Sequence, residues 1–402
     1  MDGQSLPTPR AKPPKPDIEA MIYLDHNATS PLRPEAAVAM TRASEIGGNP
    51  SSVHARGRAA RAVVEDAREA VAKLAGARTQ DVIFTSGGTE ANALALYGAV
   101  YGSLEAEARI TRIFVSAIEH PAVLANAAAI AERVAGVRMA EIPVTADGIV
   151  DVEALRAMLR EGKGRTLVCV MAANNETGVV QPLDQIAKHI RDAGALLLVD
   201  GVQAAGKIPL AFDADYLVMS GHKIGALEGI GCLIAKEGAP LSPLVAGGGQ
   251  ERGKRGGTQN LAGIASFGAA ASAAASLGDM PRQTALRDRF EAELIRRWPQ
   301  TIVFGARARR LGNTSNFAIP RVAAETALMA LDLDGLCVSS GAACSSGKVK
   351  ASHVLSAMGV ADDIAAGALR VSFGWNSTDS DADALLASLD KLVARANPRA
   401  AA

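Results

Sequence analysis

ALLLVDGVQAAGK, Ala195 to Lys207, decides how this chain folds. An unbroken apolar run leads into an acid, Asp200. A strand with one wet face alternates apolar and polar residues, whereas a strand covered on both faces reads as continuous apolar sequence. The stretch therefore predicts a strand over 195–201 within a sheet sandwiched by helices. Working outward, VIFTSG (82–87), RIFVSA (112–117), TLVCVMAA (166–173), YLVMSGH (216–222) and GCLIAKE (231–237) share its character. Helical segments lie between them. In PLDQIAKHIRDAG (182–194), Leu183, Ile186, Ala187 and Ile190 fall on one face, with Lys188, His189, Arg191 and Asp192 on the rest. The pattern predicts an α/β fold with a mainly parallel sheet.

Composition sets the bounds. The 402 residues are 49% hydrophobic and 21% charged, enough for a sizeable core. Aromatics are only 3%, so Ala, Val, Leu and Ile must build the interior. Lys and Arg number 42, balanced by 42 Asp and Glu, and no basic stripe points to nucleic acid or an anionic membrane. Cys169 and Cys232 sit in strand-like runs and Cys337 at the end of one. Without a CxxC pair, neither a disulfide framework nor a zinc site is indicated, which suits a reducing cytoplasm. Leu261 to Leu277 is uncharged, but Ala, Ser and Gly dominate it, and it reads as a buried helix rather than a membrane span.

Residues 1–20 hold five prolines and read as a disordered extension with no signal-peptide core. IYLDHNAT, from Ile22, reads as a short strand or extended arm. Residues 33–276 form the expected large domain, and 21–32 with 277–402 a smaller α+β domain. Its last helix begins near Thr378 and Asp381, which have capping-box spacing.

Ligands of open α/β sheets bind beyond the carboxyl ends of the strands. There the sequence places Gly87-Gly88-Thr89-Glu90, Glu119-His120, Asn174-Asn175-Glu176-Thr177-Gly178, Asp200 with Gln203 one turn on, and Ser220-Gly221-His222-Lys223. Gly88 and Thr89 at a helix N-terminus offer N–H groups and a hydroxyl to a phosphate, and Ser220 and His222 add donors. Asp200, an acid on a buried strand, wants a cation. Lys223 beside it is placed to be a desolvated Schiff-base nucleophile. Phosphate, ring-nitrogen cation and aldehyde together describe pyridoxal 5′-phosphate (PLP).

At this point the sequence resembles the class V, fold-type I PLP enzymes, and among them the NifS-like cysteine desulfurases. The matching residues are YLDHNAT (23–29), GNPSSVHARGR (48–58), FTSGGTEAN (84–92), EHPAV (119–123), NNETG (174–178), VDGVQAAGK (199–207), SGHKI (220–224), GGGQERGKRGGTQN (247–260), SSGAACSS (339–346) and LRVSFG (369–374). They follow the family's order over essentially all of 21–375. The resemblance implies a large domain with a seven-stranded sheet, a smaller α+β domain carrying a catalytic cysteine loop, and a homodimer. By position it makes Lys223 the cofactor lysine and Asp200 the partner of the pyridinium nitrogen. Gln203 and Asn175 would contact the phenolic oxygen, and His120 would stack on the ring and move protons. Gly88, Thr89, Ser220 and His222 would bind the phosphate, with Thr258 reaching it from the neighbouring subunit. Arg370 would take the carboxylate of L-cysteine, and Asn27 and Asn175 would approach the substrate.

Cys344, in the small-residue stretch SSGAACSSGKVKASH (339–353), matches the family's catalytic cysteine. It would receive the substrate sulfur as a persulfide for delivery to acceptors such as an iron–sulfur scaffold protein. A nearby His120, Lys348 or His353 would lower its pKa. One departure stands out: the family's Gly-Pro-Lys-Gly turn reads Ala226-Leu227-Glu228-Gly229 here.

The rival readings are a selenocysteine lyase, an aminotransferase, or a non-catalytic scaffold of the same fold. Bland roles also compete: a strand-end cap for Asp200, an N-cap for His120, an inert loop residue for Cys344 and a plain ion pair for Arg370. His26, His54 and His189 suit structural or surface positions. No metal site is expected, since Asp379, Asp381 and Asp383 lack the Gly and Glu of a calcium loop and the Gly341–Lys348 spacing is wrong for a phosphate loop.

Overall fold

The computed structural model describes residues 20–104, 109–340 and 352–396. In chain order the first half contains β1 (Ile22–Tyr23), α1 (Pro34–Ile46), α2 (Ala55–Ala75), β2 (Val82–Thr85), α3 (Gly88–Gly102), β3 (Ile110–Ser116), α4 (Pro121–Arg133), β4 (Arg138–Ile142), α5 (Val152–Arg160), β5 (Arg165–Met171) and α6 (Leu183–Asp192). There follow β6 (Leu196–Asp200), β7 (Tyr216–Ser220), β8 (Gly231–Ala235), α7 (Leu261–Ala274), α8 (Met280–Arg297), β9 (Ile302–Val303) and β10 (Thr314–Ala318). The remainder is α9 (Ala324–Leu333), β11 (Leu336–Cys337), α10 (His353–Ala357), α11 (Asp362–Ala365), β12 (Ala368–Ser372) and α12 (Asp379–Ala396).

Among the described residues, seven strands form the main sheet in the order β2-β8-β7-β6-β5-β3-β4. The pairs from β7 to β4 are parallel, and β8 runs antiparallel to both β2 and β7. Two reversals cancel, so β2 points the same way as β3, β5, β6 and β7. Their carboxyl ends therefore share one edge, the edge on which the polar motifs were collected.

The apolar run at 195–201 is a strand buried at every position. Leu197 and Val199 join one hydrophobic cluster, with α2, α6 and α7; Leu196 and Leu198 join another, with α3 and α4. The strand period of two thus sends alternate side chains into two separate cores. The helix expected over Leu261–Leu277 forms as Leu261–Ala274 and packs into the first core through Ile264, Phe267 and Ala270. Gly268 is required there, since a Cβ on it would stand 2.6 Å from Ala67. No helix among the described residues is long and apolar enough to cross a membrane.

Strand β4 has no counterpart among the expected strands, because RMAEI is partly exposed and lacks their apolar run. The six expected strands end one to two residues earlier than their motifs, with the polar ends turning out of the sheet. The small lobe has its own core, in which Leu24 joins Phe290 of α8, Phe317 of β10, Phe373 and Leu385 and Leu389 of α12. Strand β1 pairs with β11, so the N-terminal arm crosses to this lobe. At the start of α12 the Thr378 N–H donates to Asp381 Oδ2 at 2.8 Å, one half of the anticipated capping box.

A buried ion pair fixes the Gly-rich segment 247–260 to the sheet. Arg68 (2% exposed) donates to both oxygens of Glu251 (5% exposed), at 2.7 and 3.0 Å, and to Val82 O at 2.9 Å. Glu251 also accepts the Phe84 N–H at 2.9 Å and adopts a left-handed φ of 47°. Removing one member strands the other's charge. Arg68→Met should destabilise the protein by about 3–5 kcal/mol, read as a lower urea midpoint; an unchanged midpoint would contradict this.

Candidate active site

Strand β7 ends at Ser220, and a 3-10 turn over Gly221–Lys223 delivers the lysine. Lys223 Nζ donates to Asn27 O at 2.7 Å and Ala28 O at 2.5 Å. Burial and the Arg370 guanidinium pull its pKa from 10.5 to about 8, against the pull of Asp25 and Asp200. Asp200, the last residue of β6, is 6% exposed and accepts from Asn92 Nδ2 at 2.8 Å and from the Val202 N–H at 3.0 Å.

His120 caps α4: its Nδ1 accepts the Ala122 N–H at 3.1 Å. In the neutral ring the proton therefore sits on Nε2. Burial, Lys223 and His353 outweigh Asp200 and hold the pKa below the usual imidazole value. The capping role and a role toward a ligand are compatible, because they use opposite nitrogens.

The phosphate-type motif forms where α3 begins. Thr89 is exposed in the first turn of a 15-residue helix. A Cβ on Gly88 would stand 3.0 Å from Val202 and 3.4 Å from Ser220, a tight fit that would push on both side chains. His222 Nδ1 pairs with Thr29 Oγ1 at 2.9 Å; burial and then Lys223 push its pKa down to about 4, against Glu228. Glu228, the departure from the family pattern, is exposed, and its turn is kept by Leu227 N–H donating to Ser266 Oγ at 2.9 Å. Thr258 is exposed, and nothing within the described chain ties it to this crevice.

Arg370, on β12, is 4% exposed. It donates to Asp25 Oδ1 at 2.7 Å and Asn175 O at 3.1 Å, while its buried Nε has no partner. An orphaned guanidinium N–H here suits an incoming carboxylate. Asn27 behaves otherwise than expected. Its Nδ2 donates to Thr314 Oγ1 (2.9 Å) and Asn175 O (3.1 Å), and its Oδ1 accepts from Asn313 Nδ2 (3.0 Å) and Lys207 Nζ (3.4 Å). The side chain is fully engaged within the protein. Its carbonyl accepts from Lys223 and from Gln203 Nε2, the latter at 2.9 Å.

Cys344 and Lys348 lie outside the described residues, but the flanks of that segment are on the site. Ser339 and Arg370 exchange backbone hydrogen bonds at 3.1 and 2.6 Å. Ser352 Oγ donates to Glu176 Oε2 at 2.5 Å, and His353 Nε2 lies 3.0 Å from Glu119 O, beside His120. Asp25, Asn92, Glu176 and Lys207 escaped the sequence reading as site residues; each lies inside a quoted motif, but its partner is distant in the chain. His54 caps α2 through Gly57 N–H, and His26 packs edge-on to Tyr23.

The chain matches the family model "Aminotransferase class-V" over residues 22–385 and belongs to that family. A cysteine desulfurase from Cereibacter sphaeroides is 43% identical over 92% of this chain and 95% of its own. The cysteine desulfurase IscS of Dictyoglomus turgidum is 39% identical over 92% and 94%. Among solved structures, a NifS-like protein from Rickettsia africae superposes with a TM-score of 0.83 at 31% identity, over 93% of this chain and 99% of that one. Within the class V enzymes the chain thus falls in the cysteine desulfurase family, which is PLP-dependent. The residues fit the cofactor: a tightly packed glycine at a helix N-terminus, a buried carboxylate at a strand end and a lysine with a lowered pKa.

Capture of PLP by the cofactor-free protein requires the neutral amine. A folded pKa of about 8 means the capture rate should rise with pH through about 8. Stopped-flow absorbance checks this; a rate that climbs only near 10.5, the ordinary lysine value, would contradict it.

Proposed function

We propose that this protein is a PLP-dependent cysteine desulfurase that converts L-cysteine to L-alanine and leaves the sulfur on Cys344 as a persulfide. The observation that carries the reading is that Lys223, Asp200 and His120, at one edge of the main sheet, lie within electrostatic reach of one another and of Arg370 on β12, while on either side of the Cys344 segment Ser339 is bonded to the Arg370 backbone and Ser352 to Glu176. Bound PLP supplies an electron sink for the substrate's α-carbon. Lys223 would hold the cofactor through its aldehyde and would be the amine that exchanges protons at the substrate's α-carbon. Asp200 holds the pyridinium proton. Gly88, Thr89, Ser220 and His222 take the phosphate, and Gln203 and Asn175 the phenolic oxygen.

Arg370 receives the substrate carboxylate through its spare N–H, and His120, protonated on Nε2, would lie against the bound ring and move protons. The Cys344 thiolate attacks the substrate sulfur. A sulfur–sulfur bond forms, the carbon–sulfur bond breaks with its electron pair remaining on carbon, and protonation there completes alanine. His353, held beside His120 by the Glu119 carbonyl, supports thiolate formation.

Thr258, exposed and without a hydrogen-bond partner among the described residues, is assigned to the phosphate of a second subunit in a homodimer. We assign 33–276 to the large domain and 21–32 with 277–402 to the small one, a division supported by the separate core built on Leu24 and α8–α12. The unpaired Cys169, Cys232 and Cys337 support residence in a reducing cytoplasm. The name IscS carried by one relative supports an iron–sulfur scaffold protein as a sulfur acceptor.

Lys223→Ala should lose the visible absorption of the bound cofactor. Cys344→Ser should keep that absorption but pass no sulfur to an acceptor. A Cys344→Ser enzyme delivering sulfur at the parent rate would sink the assignment of that thiol.

A further inference from the structure

Lys207 follows Gln203 by one turn, and no role has yet been given to it. It donates to Gln203 Oε1 at 3.1 Å and to Asn27 Oδ1 at 3.4 Å. Among the described residues no carboxylate pairs with it, and burial together with its cationic neighbours Lys223 and Arg370 lowers its pKa to about 7. An amine buried without an acid is a liability for folding, and an apolar side chain of similar length would fill the place at less cost. Stability therefore does not account for a lysine at this position.

Amide orientation does. A primary amide can occupy one site with its oxygen and nitrogen exchanged, and its neighbours decide which way round it lies. Charged or neutral, the Lys207 amine has at least two N–H groups, and it spends them on the oxygens of Gln203 and Asn27. The nitrogen is then turned to Asn27 O, at 2.9 Å, and one of its two hydrogens is left over. The same amine, with Asn313 Nδ2, fixes the Asn27 oxygen and so directs Asn27 Nδ2 to Thr314 and Asn175 O. Lys207 and Lys223 also share the wall of a cavity of about 30 Å³ with His26, whose buried Nε2 has no partner. That space can hold a water or two and leaves room for a slightly larger side chain.

We propose that Lys207 is a positioning residue for the cofactor: by holding the oxygens of Gln203 and Asn27 it keeps a Gln203 N–H available to the cofactor's phenolic oxygen. The inference rests on the assignment of Gln203 to that oxygen made above. The test is a double-mutant cycle on the holoenzyme, using Lys207→Met, Gln203→Ala, their combination and Lys207→Arg. The readouts are the PLP dissociation constant, the position and pH titration of the visible band, and kcat and KM for cysteine.

Lys207→Met should weaken PLP binding about tenfold and shift the band. Lys207→Arg, still a donor, should stay within about threefold of the parent. In the Gln203→Ala background, Lys207→Met should change binding by less than about twofold. A Lys207→Met enzyme with parental affinity and spectrum overturns the proposal. So does an equal loss in both backgrounds, which would mean bulk charge or packing. If Gln203→Ala alone leaves affinity and spectrum unchanged, the Gln203 assignment fails and this inference with it; a Gln203 effect with no Lys207 effect sinks only the inference. Should Lys207→Met not fold, Lys207→Gln takes its place in the same cycle under the same criteria.

Discussion

One buried amide holds the two lobes to Lys223. Asn27, 1% exposed, sits on an N-terminal arm whose strand β1 pairs with β11 of the small lobe. Its side chain and backbone reach Asn313, Thr314 and Ser372 on the small-lobe side and Asn175, Gln203 and Lys223 on the sheet side. A buried amide left unsatisfied costs about 1–3 kcal/mol per group, so the set is held together or lost together. The arm is thus a joint: it fixes where Lys223 points by the same contacts that fix where the small lobe sits.

The electrostatics of the crevice follow from that joint. Lys207, Lys223 and Arg370 lie within reach of one another, and Asp25 and Asp200 only partly offset them. Asp25 is committed to Arg370 at 2.7 Å, and Asp200 is held by Asn92 at 2.8 Å. Cationic side chains enclosed by protein suit a ligand with a phosphate and a substrate with a carboxylate. They also keep Lys223 closer to its neutral, nucleophilic form than a surface lysine.

The fold was legible in the sequence wherever burial on both faces erased the polar half of the pattern. The strand at 195–201 is the clearest case, since each of Leu196 to Val199 faces a core. The edge strand Arg138–Ile142 was not legible, because partial exposure on an edge leaves no apolar run. The reversed direction of β8 was also hidden, as GCLIA reads alike either way along the chain. Strand-end motifs singled out Lys223, Asp200 and His120 as candidates because polar groups stand out where an apolar run stops, and the structure brings the three within electrostatic reach of one another. Asn27 and Lys207 were harder. What each does is set by partners such as Asn313, 286 positions away in the chain, and no local pattern encodes them.

The central claim is that the lysine at 223 and the thiol at 344 serve one reaction. Its most direct measurement is mass spectrometry of the peptide containing Cys344, isolated without reductant after the holoenzyme has been mixed with L-cysteine. The account predicts one added sulfur on that cysteine, absent in the Lys223→Ala protein. Alanine formation at the full rate with no sulfur on Cys344, or sulfur found instead on Cys337, would contradict it.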